Sequence, residues 1–234
     1  MDGAEAADEQ AMTGEATQAA PFEAAHWDLV PGGTALVVID AQNDFLHPEG
    51  WYAEQGIDIG HMRRCIEPLK ALLAAARSKG IPIVWTRHGV RGAEDGGPFM
   101  QLRPFLAEGG LRRETWGWEV LAELSPQPDD WYVAKTRLSA FYGTDLEVVL
   151  RGIGAETVLM TGVLTNQCVA ATSKDAMFRD FKPIVIEECT GTTLPHLHEP
   201  AIEMMRVGWT EVRDLDSALS EIRQLAPARP AGAS

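Results

Sequence analysis

Residues 157–180 have the sequence TVLMTGVLTNQCVAATSKDAMFRD, in which a continuous apolar run is followed by a turn and a helical stretch. The run 157–162 is typical of a buried strand, and 167–180 has apolar residues at helical spacing. Cys168 lies where the helix is predicted to begin. Free cysteines are mostly buried and inert, so packing in the core is the first interpretation of Cys168.

The same alternation of strand and helix recurs along the chain. Continuous apolar runs indicate strands that are buried on both faces of a sheet. Amphipathic stretches lie between most of these runs. The pattern predicts an α/β fold with a parallel sheet and helices on both of its faces. The predicted strands are 34–40, 81–87, 131–135, 157–162, 183–188 and 210–214, and the predicted helices are 62–80, 144–154, 167–180 and 199–208.

The length of 234 residues, with 45% hydrophobic residues, predicts a single domain with one substantial core. We place this domain at residues 26–225. Residues 1–25 are rich in Ala, Glu and Asp without periodicity, which predicts a disordered acidic leader. Residues 226–234 predict a flexible tail.

The formal net charge of −14 argues against a nucleic-acid partner, because phosphate binding needs clustered Lys and Arg. Three cysteines do not form a disulfide framework, so we expect a reducing, cytoplasmic location. No apolar run approaches the roughly 20 residues that span a bilayer. The first basic residue is Arg63, so no targeting signal is predicted.

Three reactive side chains follow or end three predicted strands. These are Asp40, Lys135 and Cys168. Ligands of parallel α/β sheets bind beyond the carboxyl ends of the strands, so the topology predicts one shared cleft. The long segment 88–130 separates two of the strands, and loops of that length usually form a lid or a pocket wall.

A carboxylate, an ammonium and a thiol in one cleft match acyl transfer to a cysteine followed by hydrolysis. The start of a helix and a nearby Lys135 are expected to lower the pKa of Cys168. Asp40 would accept the thiol proton and later donate it to a leaving amine. The alternative for Asp40 is a helix cap or a solubilising charge.

Three segments resemble the signatures of the isochorismatase-like cysteine hydrolase family, which includes N-carbamoylsarcosine, ureidoacrylate and biuret amidohydrolases. They are VIDAQNDF (38–45), KTRLSAFYGTDL (135–146) and TGVLTNQCVAATSKDA (161–176). The resemblance runs from about 34 to 214. It implies a Rossmann-like three-layer α/β/α fold with a six-stranded, mostly parallel sheet. It also implies a catalytic triad of Asp40, Lys135 and Cys168.

The resemblance further implies a cis peptide bond at Val163–Leu164. This bond would direct the backbone N–H of Leu164, together with that of Cys168, at the oxyanion of the intermediate. Nicotinamidases of the family carry a metal cluster after the second strand. Here that region offers His88 without a second histidine nearby, so neither a metal nor another cofactor is expected.

The predicted function is cleavage of a C–N bond in a small amide, ureido or carbamoyl substrate through a thioester. One alternative is a vinyl-ether hydrolase of the isochorismatase type without a covalent step, and another is a non-catalytic scaffold of the same fold. Members of the family commonly form dimers or tetramers. A homo-oligomer is therefore expected, with the helix around 199–208 as a possible interface.

Substrate contacts are assigned from residue type and position alone. Gln42 is placed to bond a carbonyl or carbamoyl group, and Arg87 to bind a carboxylate. Aromatic residues near the strand ends would form the wall of the pocket, and the alternative for Trp116 and Trp118 is that they only anchor the long loop. His196 and His198 are interpreted as surface-loop or helix-start residues rather than a metal pair. The predicted aromatic wall consists of Phe45, Trp116, Trp118, Phe141 and Tyr142.

Overall fold

The structure, a computed structural model, describes residues 26–226. The predicted leader over 1–25 and the tail from 227 onward lie outside the described residues, and the domain boundaries stay a prediction. In the described part of the chain, no helix is both long and apolar enough to cross a membrane.

Within residues 26–226, six parallel strands form one sheet in the order β3-β2-β1-β4-β5-β6. The chain leaves β1 for β2 and β3 on one side and returns to β4 on the other. The carboxyl ends of β1 and β4 therefore border the topological switch point, where such sheets bind ligands. The strands are β1 Thr34–Ile39, β2 Ile83–His88, β3 Trp131–Lys135, β4 Thr157–Val163, β5 Lys182–Gly191 and β6 Glu211–Arg213.

The central strand β1 is buried on both faces, as its continuous apolar sequence predicts. Leu36 and Val38 belong to one hydrophobic cluster, and Val37 and Ile39 belong to the other. The alternation follows from the two-residue repeat of a strand. Full burial of each such side chain contributes about 1.5–3 kcal/mol.

Helices cover both faces of the sheet. The first cluster includes buried side chains of α4 and α10, and the second includes those of α7, α8 and α9. The predicted three-layer α/β fold is therefore confirmed, with a sheet that is wholly parallel in the described residues. The helices are α1 Asn43–Leu46, α2 Trp51–Glu54, α3 Gly60–Arg63, α4 Ile66–Ser78, α5 Pro98–Leu102, α6 Pro104–Glu108, α7 Leu146–Gly152, α8 Ala170–Met177, α9 His198–Gly208 and α10 Leu215–Gln224.

The segment 88–130 contains α5, α6 and three short 3₁₀ turns, and hydrogen bonds hold Gly89 against the end of β3 and Leu121 against the chain after β1. It is tied to the chain after β1 by the three consecutive polar residues of the sequence QND. Asn43 Nδ2 donates to the Trp116 carbonyl at 2.8 Å, and the Asp44 carboxylate accepts from the Leu111 N–H at 2.6 Å. The predicted pocket wall is thus fixed directly beside Asp40.

The predicted interface helix corresponds to α9. Its outer face exposes Met204 and Val207, while Ile202 and Met205 are buried against the sheet. Homo-oligomerisation stays a prediction.

Candidate active site

The three strand ends bring Asp40, Lys135 and Cys168 into one buried group. Lys135 Nζ lies 2.7 Å from Asp40 Oδ2 and 3.3 Å from Cys168 Sγ. Lys135 ends β3, and its side chain reaches past β2 to the ends of β1 and β4. The topology therefore brings the three side chains together, as predicted from their positions at strand ends.

Asp40 is held by its own backbone and by Thr86 of β2. Its φ of 51° lies in the left-handed region, which Asp tolerates because its short side chain can bond locally. The Thr86 hydroxyl donates to Asp40 Oδ1 at 2.7 Å and accepts from the Asp40 N–H at 3.2 Å. One carboxylate oxygen is thereby fixed, and the other faces Lys135.

Lys135 is fully buried but charged. Its ammonium also donates to the carbonyls of Arg137 and Leu138, at 3.0 and 3.1 Å. Burial opposes the charged form, but the contacts with Asp40 and Cys168 outweigh it and raise the pKa of Lys135 above its ordinary value. The ammonium is therefore a permanent positive charge between the carboxylate and the sulfur.

The pKa of Cys168 is shifted in the direction opposite to the one predicted from the sequence. Burial raises the pKa of its thiol to about 12, Lys135 opposes this shift, and the charge of Asp40 adds to it. The cost of desolvating a thiolate exceeds the attraction of one ammonium that already pairs with a carboxylate. In the resting protein, Cys168 is a neutral thiol and needs a base.

The turn that carries Cys168 follows β4 directly. The Val163–Leu164 peptide bond is cis, the isomer that the family resemblance implies. Thr165–Val169 forms a single turn of π-helix that continues into α8. Cys168 therefore lies in the first turn of a helix, as predicted, and the oxyanion role of the Leu164 and Cys168 N–H groups stays a prediction.

Two further side chains belong to this site. One donor atom each of His88, Asp40 and Cys168 lie within 4.8 Å of one another. Burial and the nearby Lys135 hold the pKa of His88 well below its ordinary value, so its imidazole is neutral. Burial and the nearby Cys168 and Asp40 raise the pKa of Tyr52, which keeps its hydroxyl protonated. Neither side chain was predicted to join the catalytic group. The sequence suggested His88 only as a metal ligand, and Tyr52 lies on a helix of four residues, which is too short to show a helical period.

The donor set of Asp40, His88 and Cys168 includes residue types that bind transition metals. The Lys135 ammonium, however, already contacts both the carboxylate and the sulfur. A cation bound there would face a second positive charge at close range. The geometry therefore favours the ammonium over a metal.

Gln42 does not act as predicted. Its side-chain Nε2 donates to the carbonyls of His88 and Trp118, both at 3.0 Å, and its Oε1 accepts from the His88 N–H at 2.7 Å. Both amide N–H groups are used, so Gln42 has no free donor for a substrate carbonyl. It braces the segment 88–130 against β1 instead.

Arg87 also has protein partners. Its guanidinium lies 3.7 Å from the centre of the Trp118 ring and pairs with Glu119 at 3.0 Å. Arg87, which was predicted to bind a carboxylate of the substrate, therefore pairs with a carboxylate of the protein itself. Trp118 is buried beneath Arg87.

The remaining aromatic residues do not form one wall. Phe45 is in the core, where its ring lies 4.7 Å from that of Tyr52, and Phe141 packs at 5.8 Å from Phe181. Trp116 and Tyr142 are 52% and 65% exposed. Phe45 and Phe141 thus pack against other rings of the protein, and the role of these aromatic residues in substrate binding stays a prediction.

The three-layer α/β fold gathers a carboxylate, an ammonium and a thiol at the carboxyl edge of its parallel sheet, an arrangement suited to a hydrolase. Residues 34–217 match the isochorismatase domain. The chain belongs to the isochorismatase family.

Similar proteins include the ureidoacrylate amidohydrolase RutB of Methylobacterium radiotolerans, which is 33% identical over 88% of this chain and 85% of that protein. Among solved structures, a cysteine hydrolase from Pseudomonas syringae pv. phaseolicola has a TM-score of 0.77 at 28% identity, covering 85% of this chain and 96% of that chain. The N-carbamoylsarcosine amidase from Thermoplasma acidophilum has a TM-score of 0.66 at 26% identity, covering 79% and 97%. Each match covers at least 79% of this chain and at least 85% of the matched protein.

Proposed function

We propose that this protein hydrolyses the C–N bond of a small ureido or carbamoyl compound through a thioester on Cys168. The observation that carries the proposal is the buried contact of Lys135 with both Asp40 and Cys168, at 2.7 and 3.3 Å. The similar proteins include a ureidoacrylate amidohydrolase and an N-carbamoylsarcosine amidase, which supports the substrate class.

The first half of the reaction forms the thioester. Cys168 Sγ attacks the carbonyl carbon of the substrate while its proton passes to Asp40. The N–H groups of Leu164 and Cys168 bind the oxyanion of the tetrahedral intermediate. The C–N bond then breaks, and Asp40 returns the proton to the leaving nitrogen, so that ammonia or an amine departs.

The second half releases the acyl group. A water molecule takes the place of the leaving amine and attacks the thioester carbonyl as Asp40 accepts its proton. The C–S bond breaks, the sulfur regains a proton from Asp40, and the acid departs. Lys135 stays charged throughout and stabilises whichever of Asp40 and Cys168 carries the negative charge.

The proposal is tested by replacing Cys168 with Ala and with Ser and assaying a panel of ureido and carbamoyl acids. We expect both variants to lose at least about 10³-fold in kcat, because the nucleophile is removed. The control is Cys189→Ala, which removes a thiol of the core that does not contact this site. Wild-type turnover by Cys168→Ala would exclude the thioester.

Two further measurements distinguish the alternatives, the vinyl-ether hydrolase and the non-catalytic scaffold. Release of pyruvate from isochorismate that is insensitive to thiol alkylation identifies a vinyl-ether hydrolase. Equal alkylation rates for Cys65, Cys168 and Cys189, with no turnover of any substrate, identify a scaffold. All three thiols are buried, so faster alkylation of Cys168 than of the other two would come from the Lys135 ammonium beside its sulfur.

A further inference from the structure

A cavity lies next to the turn that carries Cys168. Its volume is about 440 Å³, and it opens between α3, the end of β5 and the start of α9. Its lining includes His61, Arg64, Glu187, His198 and Glu199, and none of the Asp40, Lys135 and Cys168 group.

Three side chains that line this cavity have metal-binding atoms close to one another. One ring nitrogen of His198 and one carboxylate oxygen each of Glu187 and Glu199 lie within 4.8 Å of one another. His198 is only 8% exposed. One imidazole and two carboxylates form a donor set that suits Zn²⁺ and similar divalent ions, with water completing the coordination.

The orientation of His198 is set by a second contact. Its Nδ1 lies 3.1 Å from the Thr165 hydroxyl. Imidazoles that bind metals usually have their other nitrogen held by such a partner, which selects the tautomer and the ring orientation. The Thr165 hydroxyl can accept from Nδ1–H, and in that tautomer the lone pair of Nε2 is available to an ion.

The charges around the cavity favour a cation. Two carboxylates within a few ångströms repel each other, and Arg206, at 3.3 Å from Glu187, offsets only part of that charge. Arg64 also lines the cavity and opposes a cation. His61 accepts a hydrogen bond from the Thr192 N–H through Nδ1, so its neutral form carries its proton on Nε2 and is not a ligand.

We propose that Glu187, His198 and Glu199 bind one divalent transition-metal ion of the Zn²⁺ class, with Thr165 as the residue that orients His198. The site is separate from the hydrolytic group but adjoins it in the chain, because Thr165 begins the turn that carries Cys168. Binding of the ion does not require the proposed reaction.

The test is Zn²⁺ binding to metal-stripped protein, measured by competition with a chromophoric chelator and by the melting temperature. Two other groups of donors in the described residues need controls, Asp40–His88–Cys168 and the exposed His26–Asp28–Glu221. Cys168→Ser removes the thiol of the first, and Asp28→Asn removes a carboxylate of the second. We expect both variants to bind one equivalent of Zn²⁺ and to melt at a higher temperature with it.

Glu199→Gln is expected to lose the Zn²⁺-dependent rise in melting temperature while melting like the wild type without metal. Thr165→Val is expected to weaken Zn²⁺ binding by about 10- to 100-fold, since the partner of His198 is lost. Unchanged affinity in Glu199→Gln would overturn the proposal. Loss of binding in Cys168→Ser or in Asp28→Asn would place the ion elsewhere and overturn it equally.

Discussion

At the scale of single residues, the proposed mechanism moves a proton within the site without creating a new buried charge. Transfer of the thiol proton from Cys168 to Asp40 replaces a buried carboxylate with a buried thiolate, and both lie beside Lys135. The net charge of the group is unchanged. The raised pKa of Cys168 therefore keeps the thiol protonated until a substrate is present, which protects it from unproductive reactions.

Asp40→Asn separates the two effects of this carboxylate. We expect turnover to fall by about 10²- to 10⁴-fold, because the general base is lost. Alkylation of Cys168 by iodoacetamide at neutral pH is expected to become faster, because the charge of Asp40 raises the pKa of the thiol. Alkylation rates are measured by mass spectrometry, with Cys65 as an internal reference. Slower alkylation in Asp40→Asn would mean that Asp40 promotes the thiolate in the resting protein.

At the scale of secondary-structure elements, the close approach of β1 and β4 places Asp40 near the turn that carries Cys168. Gly162 has a φ of 99°, and a Cβ at this position would lie 2.0 Å from the carbonyl oxygen of Ile39. The contact is between backbones, so neighbouring side chains cannot relieve it. The end of β4 therefore requires glycine one residue before the cis peptide bond.

Gly162→Ala is expected to lower the free energy of unfolding by at least about 2 kcal/mol, through the clash and the positive φ. Gly152→Ala is the matched control. Gly152 ends α7, nothing lies within 4 Å of an added Cβ, and alanine favours the helix by up to about 1 kcal/mol. Urea denaturation compares the two variants. Equal stability of both would show that β1 and β4 move apart at little cost.

At the scale of the whole molecule, the carboxylate of Asp130 links α4, β2 and β3. It lies at the amino end of β3, and the candidate site lies at the carboxyl end. The Asp130 carboxylate, directly before β3, accepts hydrogen bonds from both Nη atoms of Arg77 in α4 and from the indole N–H of Trp85 in β2, each at 2.8 Å. Burial raises the pKa of Asp130, but the hydrogen bonds from Arg77, Gln127 and Trp85 outweigh it, so the net pKa lies below its ordinary value.

Asp130→Asn is expected to destabilise the protein at neutral pH by about 1–3 kcal/mol, the usual range for hydrogen bonds to a charged group. A carboxyl with a lowered pKa stabilises the fold fully above its ordinary pKa and loses this contribution as the pH falls through the folded value. The difference in the free energy of unfolding between wild type and variant should therefore be constant near neutral pH and decrease in acid. Asp129→Asn, at the exposed neighbouring position, should show no such difference.

The elements that the sequence predicted well are those with strong patterns. Five strands begin and end within about two residues of their predicted positions. The strand β5 extends to Gly191, beyond the predicted 188, past a shift in its pairing with β4. The helices α1, α2, α3, α5 and α6 were not predicted, because four or five residues are too few to show a helical period. The ten-residue helix α10 was also missed, although Asp214 is its N-cap, a signal that the sequence offers.

The sequence by itself determined the α/β class, the order of the reactive residues and their positions at strand ends. These properties follow from local patterns and from the rule that parallel strands share one carboxyl edge. Only the tertiary structure decided that Gln42 braces a loop, that His88, Tyr52 and His198 lie beside the catalytic turn, and that Cys168 rests as a thiol. Each of these depends on burial and on distances between residues far apart in the chain, and the balance of desolvation against charge cannot be derived from residue types alone.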